Sequence, residues 1–238
     1  MNRNRLMKAS AFLLVSTMAT SCFVGSTFAK YVSEGEGSDS ARVAKWGVQV
    51  EVTGDGFKTE YDKNDSNSSV KGDTVISSSA EEKVVAPGTK GTFGGVKITG
   101  TPEVAVKVET TATVDLSGWN VADGGEFYCP LKFTIGDKTI NGLDYSKGTA
   151  GGEGSFENAI KTAIQKATTK ELEANTDLST VGNDITYSWE WPFEGSRGDV
   201  ASQDDILDTK LGDNAADDDP SNDPTISITV NTKVTQIN

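Results

Sequence analysis

The sequence predicts an all-β sandwich with one lateral amphipathic helix, and three observations lead there. Short stretches in which apolar and polar residues alternate recur along the chain, and period two is the mark of a half-buried strand. Glycine, proline, asparagine and aspartate collect between these stretches as turn signals. One segment alone switches to a period of three and four, the spacing of a helix with one apolar stripe. Many short strands, frequent turns and a single helix together give a β-sandwich with a helix on its flank. No internal repeat is found.

The 238 residues open on an export signal. Arg3, Arg5 and Lys8 make a positive start, Ala11 to Val15 begin an apolar run, and Thr27-Phe28-Ala29 supplies small residues for cleavage after Ala29. Ser16, Thr17, Thr20 and Ser21 interrupt the apolar run, which therefore suits a removable leader rather than a permanent span. A second reading takes Ala19-Thr20-Ser21-Cys22 as a lipoprotein processing site, with Cys22 carrying the lipid. The predicted organisation is a signal over 1–29, a flexible segment over 30–40, and a β-sandwich domain over 41–238.

Within that domain the first strand follows from Ala44, Trp46, Val48, Val50 and Val52 on one face, opposite Lys45, Gln49 and Glu51. Gly54-Asp55-Gly56 ends it, and residues 58–73 are a polar loop. A short strand is expected over Thr74–Ser77, followed by Val84-Val85-Ala86 running into the turn Pro87-Gly88. Phe93–Thr99 is the next strand and Glu103–Leu116 the longest, with Val104, Val106, Val108 and Thr110 on one face. Phe127–Ile135 follows, closed by the hairpin turn Gly136-Asp137-Lys138, and then comes a glycine-rich loop over 143–154. Phe156, Ala159, Ile160, Ala163, Ile164 and Ala167 set the helix at about 155–173, with Ser155 as N-cap and Glu157 spaced to pair with Lys161. Ile185, Tyr187, Trp189 and Trp191 share the face of a strand that Pro192 stops. An acidic loop spans 194–224, and Thr225–Ile237 alternates once more through Ile226, Ile228, Val230, Thr232 and Val234.

Composition narrows the chemistry. There are 35 acidic against 22 basic side chains, a net charge of −13, and removing the leader makes the remainder more acidic still. That balance argues against nucleic acid or an anionic membrane as a partner. The chain has no histidine. His-based acid–base work, Ser-His-Asp and Cys-His nucleophiles and His-ligated zinc are all excluded, and no carboxylate pair stands out for glycoside hydrolysis. The expectation is a non-enzymatic protein. Cys129 is the one thiol after the leader, so no internal disulfide can form there; it is either a buried apolar residue or a link between chains.

Four features are candidate sites. The Lys30-Tyr31-Val32-Ser33 segment ahead of the domain could add as a strand to the sheet edge of another copy, although Glu34-Gly35-Glu36-Gly37 is a poor strand former and a frayed terminus is the plainer reading. Tyr187, Trp189 and Trp191 are core aromatics or, alternatively, rings that stack on a glycan. Asp217, Asp219 and Asp223 alternate with Ser221 and could gather oxygens around Ca²⁺, or form an ordinary solvated loop. Arg197-Gly198-Asp199 is an adhesion tripeptide only if a loop tip presents it.

Several of these stretches carry a resemblance. Thr27-Phe28-Ala29 followed by Ser38-Asp39-Ser40-Ala41-Arg42-Val43-Ala44-Lys45-Trp46 is similar to the start of bacterial proteins whose signal is cut by the SipW-type peptidase, the TasA and camelysin group. Pro87-Gly88-Thr89 and Gly100-Thr101-Pro102-Glu103-Val104 resemble mid-chain turns of that group, and Trp191-Pro192-Phe193-Glu194 with Asp208-Thr209-Lys210-Leu211-Gly212 resembles a pattern of its less characterised members. The resemblance implies a jelly-roll-like sandwich, export from a Gram-positive type of cell, a place in the extracellular matrix or on the cell surface, and subunits joined by donation of the mature N-terminal segment. The metallopeptidase label that camelysin carries is not expected to apply, since histidine and an HExxH motif are lacking. The sequence therefore leads to an exported matrix protein that self-assembles into fibres, with matrix proteins or polysaccharide as further partners. A surface adhesion or carbohydrate-binding module is the alternative.

Overall fold

A computed structural model describes residues 42–54, 56–63, 74–93, 95–121, 125–146, 153–181, 185, 187–193, 201–217, 219 and 223–238. Residues 44–238 form one unit and residues 1–43 another, of which only Arg42 and Val43 are described. The described strands are β1 (Gln49–Val52), β2 (Glu60–Asp62), β3 (Thr74–Ser77), β4 (Lys90–Thr92), β5 (Val96–Thr99), β6 (Val106–Ser117), β7 (Lys132–Ile135), β8 (Lys138–Asn141), β9 (Lys170–Leu172), β10 (Tyr187–Glu190) and β11 (Thr225–Gln236). Two helices accompany them, α1 (Glu153–Thr168) and α2 (Ala201–Asn214). The chain is mainly β, and its sheets are small and antiparallel: β4-β10-β7-β8, β11-β6-β9, β1-β5 and β2-β3. Among the described residues they do not close into a barrel.

Alternation produces the two longest strands. β6 buries Val106, Val108, Thr110, Ala112, Val114 and Leu116 and turns the residues between them outward. β11 pairs with it in unbroken register from Thr225↔Ser117 to Gln236↔Val106. β9 takes the second edge of β6 only over Val106–Val108. Past that point α1 packs along β6, and Glu157 Oε1 accepts the Leu116 N–H at 2.8 Å. The predicted partner of Glu157 was Lys161; instead its carboxylate satisfies a main-chain donor that no strand reaches, the more valuable use of a half-buried charge.

The main core joins Phe156, Ile160, Ala163 and Ile164 of α1, the end of β6, and the inner face of the four-stranded sheet. A second cluster holds Val96, Ile98, Val106, Val108, Leu178 and Val181.

Five expectations change, the first being the polar loop over 58–73: it contains β2, which pairs with β3 and buries Tyr61. The first strand starts at Gln49 rather than near Ala41, because Gly47 takes φ +52 and breaks the alternation, leaving Trp46 40% exposed. Gly100 comes so close there that a Cβ on it would lie 2.5 Å from Gly47 O. The Phe93–Thr99 and Phe127–Ile135 strands are trimmed to Val96–Thr99 and Lys132–Ile135. The helix runs 153–168, so Ser155 lies inside its first turn and is no cap. It stops early because the β-branched Thr168 returns its hydroxyl to Ile164 O at 3.0 Å and because Lys170–Leu172 gains a ladder on β6. Finally, the acidic segment 194–224 is not all loop: it contains α2.

Candidate functional site

Strand β10 is the aromatic strand read from the sequence, and it lies at the centre of the core. Its inner positions Tyr187 and Trp189, and Trp191 just beyond it, are all 5% exposed or less. Trp189 Nε1 donates to Gly56 O at 2.7 Å, and its ring meets Phe57 and Tyr61. Gly91 on the paired strand leaves room for it; a Cβ there would stand 2.8 Å from Trp189 Nε1. Trp191 packs on Trp119. These rings have no face open to a sugar, so the glycan-stacking reading of Tyr187, Trp189 and Trp191 is corrected: a strand facing two packed layers hides its aromatic side. The Tyr187 hydroxyl is held protonated, burial pushing it up to about 12 while Thr168 pulls slightly the other way.

Helix α2 supplies a polar arrangement that the sequence reading missed. Leu207 and Leu211 point into the core, and between them Asp208 accepts from Tyr128 Oη at 2.8 Å and from Trp191 Nε1 at 3.2 Å. Burial raises the Asp208 carboxyl to about 6; the two donors oppose that rise, and the charges of Asp204 and Asp205 add to it. The available signal was thin: Asp204, Leu207, Asp208 and Leu211 sit at helical spacing, but with only two apolar anchors in an acid-rich stretch. Cys129 is fully buried, its Sγ in the core and its thiol pushed up by burial, which removes the link between chains as its role.

The calcium candidates do not converge. Asp217 and Asp219 are exposed, and Asp217 Oδ1 accepts the Asp219 N–H at 2.7 Å as a local turn. Among the described residues no group of three acidic, histidine or cysteine side chains could hold a metal ion. The assembly segment Lys30, Tyr31, Val32 and Ser33, the cleavage residue Ala29, Cys22 and the tripeptide Arg197-Gly198-Asp199 all lie outside the described residues.

What the described residues leave open is an edge. Among the described residues β11 pairs with β6 alone. The Ile237 N–H continues the ladder to Ala105 O at 3.0 Å, which fixes the phase. The odd-numbered residues of β11 turn their main-chain groups toward β6, and Ile226, Ile228, Val230, Thr232, Val234 and Gln236 turn theirs away from it. β1 runs beside β11 with no ladder between them. Between them lies a groove of about 290 Å³ lined by Val52, Gly54, Phe57, Phe93, Ile228 and Val230, among others. Val52, part of that lining, stays 39% exposed as apolar surface among the described residues.

No family model, curated protein or solved structure matches the chain.

Proposed function

We propose that this protein is an exported structural component of the cell surface or extracellular matrix, a jelly-roll-like β-sandwich that joins into fibres by strand addition along β11. One observation carries the reading: the twelve-residue β11 edge, unpaired among the described residues, stands beside an apolar groove. An incoming extended segment would gain main-chain hydrogen bonds along the even-numbered residues and place alternate side chains in the groove. Its source is the mature N-terminal segment of another copy, Lys30 to Ser33 foremost, as the resemblance to the TasA and camelysin group implies. The missing histidine and the acidic surface favour adhesion over turnover.

The test is negative-stain electron microscopy of the chain beginning at Lys30, alongside a form lacking 30–37 and a Thr232→Pro form. Proline at 232 removes an outward N–H and leaves the ladder to β6 in place, at the loss of the 2.8 Å contact between Thr232 and Thr110 hydroxyls. Fibres from the parent and folded monomers from both variants are expected. Unchanged fibres from both variants would end the strand-addition reading.

A further inference from the structure

The outer face of the four-stranded sheet has a character opposite to the rest of the chain. Register places Thr92, Ser188, Thr134 and Thr139 side by side across β4, β10, β7 and β8. At strand spacings of about 4.8 Å this hydroxyl row is about 14 Å long. The next outward row is Lys90, Glu190, Lys132 and Asn141, with the single carboxylate between two lysines. Lys132 Nζ lies 3.7 Å from Glu190 Oε1. Lys58 comes in from the segment beside β2, and Gly56 and Gly91 add main-chain lining to the groove. The result is a shallow groove of about 420 Å³ lined by three lysines, one glutamate and three of the four hydroxyls. That volume falls in the range of small-ligand sites.

We infer that this groove binds a segment of carboxylate-bearing polysaccharide, a polyuronate. The chain as a whole carries 35 acids against 22 bases, so Lys90 and Lys132 on either side of the one glutamate form a local exception to which an acidic polymer would be steered. A row of side-chain hydroxyls, each both donor and acceptor, matches the hydroxyls of successive sugar rings. Glu190, flanked by lysines, offers an acceptor to a ring hydroxyl while the lysines take the carboxylates. The groove is lined by β4, β7, β10 and the segment around Gly56, with none of its residues on β11, so binding does not depend on fibre formation.

Calorimetric titration of a galacturonate hexamer into the chain beginning at Lys30, at low salt, tests this. Cellohexaose and inorganic phosphate serve as comparison ligands. Binding of the acidic hexamer is expected to exceed that of the neutral one by about tenfold or more and to weaken as salt rises. Lys90→Gln/Lys132→Gln should lower the affinity about tenfold, and Thr92→Val a few-fold, with melting little changed because Lys90 and Thr92 are exposed and the Lys132–Glu190 pair, at 3.7 Å, is long and partly exposed. No binding of the hexamer, equal binding of cellohexaose, or full affinity in both variants would overturn the site. Displacement of the hexamer by equimolar phosphate would also overturn it, reducing the groove to a patch that takes any anion.

Discussion

β6 and β11 are two strands of the same length, paired residue for residue and built on nearly the same alternation of valine, threonine and isoleucine or leucine. Their surroundings differ. β6 is fully buried on its inner face, and its second edge is taken first by β9 and then by α1, with Glu157 receiving the Leu116 N–H. The inner face of β11 is only half-buried and its second edge meets no strand among the described residues. Binary pattern decides which side of a strand turns inward; the neighbours decide how deeply it is buried and whether its main chain is satisfied.

The comparison can be broken first by truncation. Leu116→Ala, in the filled part of the core, should cost about 3 kcal/mol in urea unfolding, whereas Ile228→Ala on half-buried β11 should cost about 1 kcal/mol. Equal losses would mean that β11 is as enclosed as β6.

Next in size is the edge itself. Glu157→Ala leaves the Leu116 N–H without its acceptor and should destabilise by about 1–3 kcal/mol, while Glu157→Gln, which keeps an acceptor oxygen, should lose less. A helix that only covers β6, without capping its main chain, would make the two substitutions alike.

The smallest effect sharpens the contrast by pH. Asp208 has a folded pKa near 6, above the ordinary carboxylate value, so the folded chain holds a proton that the unfolded chain has released between about pH 4 and 6. Its contribution therefore favours the fold at acid pH and is lost as pH rises through 6. Asp208→Asn should remove that part of the pH dependence of thermal melting. It should also melt no lower than the parent at pH 7, because Asn Oδ1 can take the Trp191 donor, its amide can donate to Tyr128 Oη, and that hydroxyl can turn to Asp204 O at 3.3 Å. A parallel shift of both melting curves with pH would place the titration elsewhere.

Much of the element pattern was legible from local rules. β6, β10 and β11 follow from alternation, the turn at Gly136-Asp137 from its glycine, and the buried stripe of α1 from its period. α2 was hidden because two leucines in an acidic stretch make a helix only when Tyr128 and Trp191 receive its Asp208. The end of α1 was misplaced because Lys170–Leu172 is drawn into a ladder by a strand some sixty residues away in sequence. The lysine groove could not be seen at all, since its residues come from segments around 56, 90, 132 and 188 that only the sheet order brings together.

By itself, then, the sequence determined which residues face inward, where the chain turns, how acidic the molecule is, and that imidazole chemistry is closed to it, because periodicity, glycine content and charge are properties of neighbours along the chain. Only the tertiary structure decided that the β10 aromatics are core and not platform, that Glu157 and Asp208 serve buried donors, that β11 has an edge unpaired among the described residues, and that three lysines meet on an acidic protein. Each of those depends on which strand lies beside which, and strand order is set by packing between segments far apart in the chain.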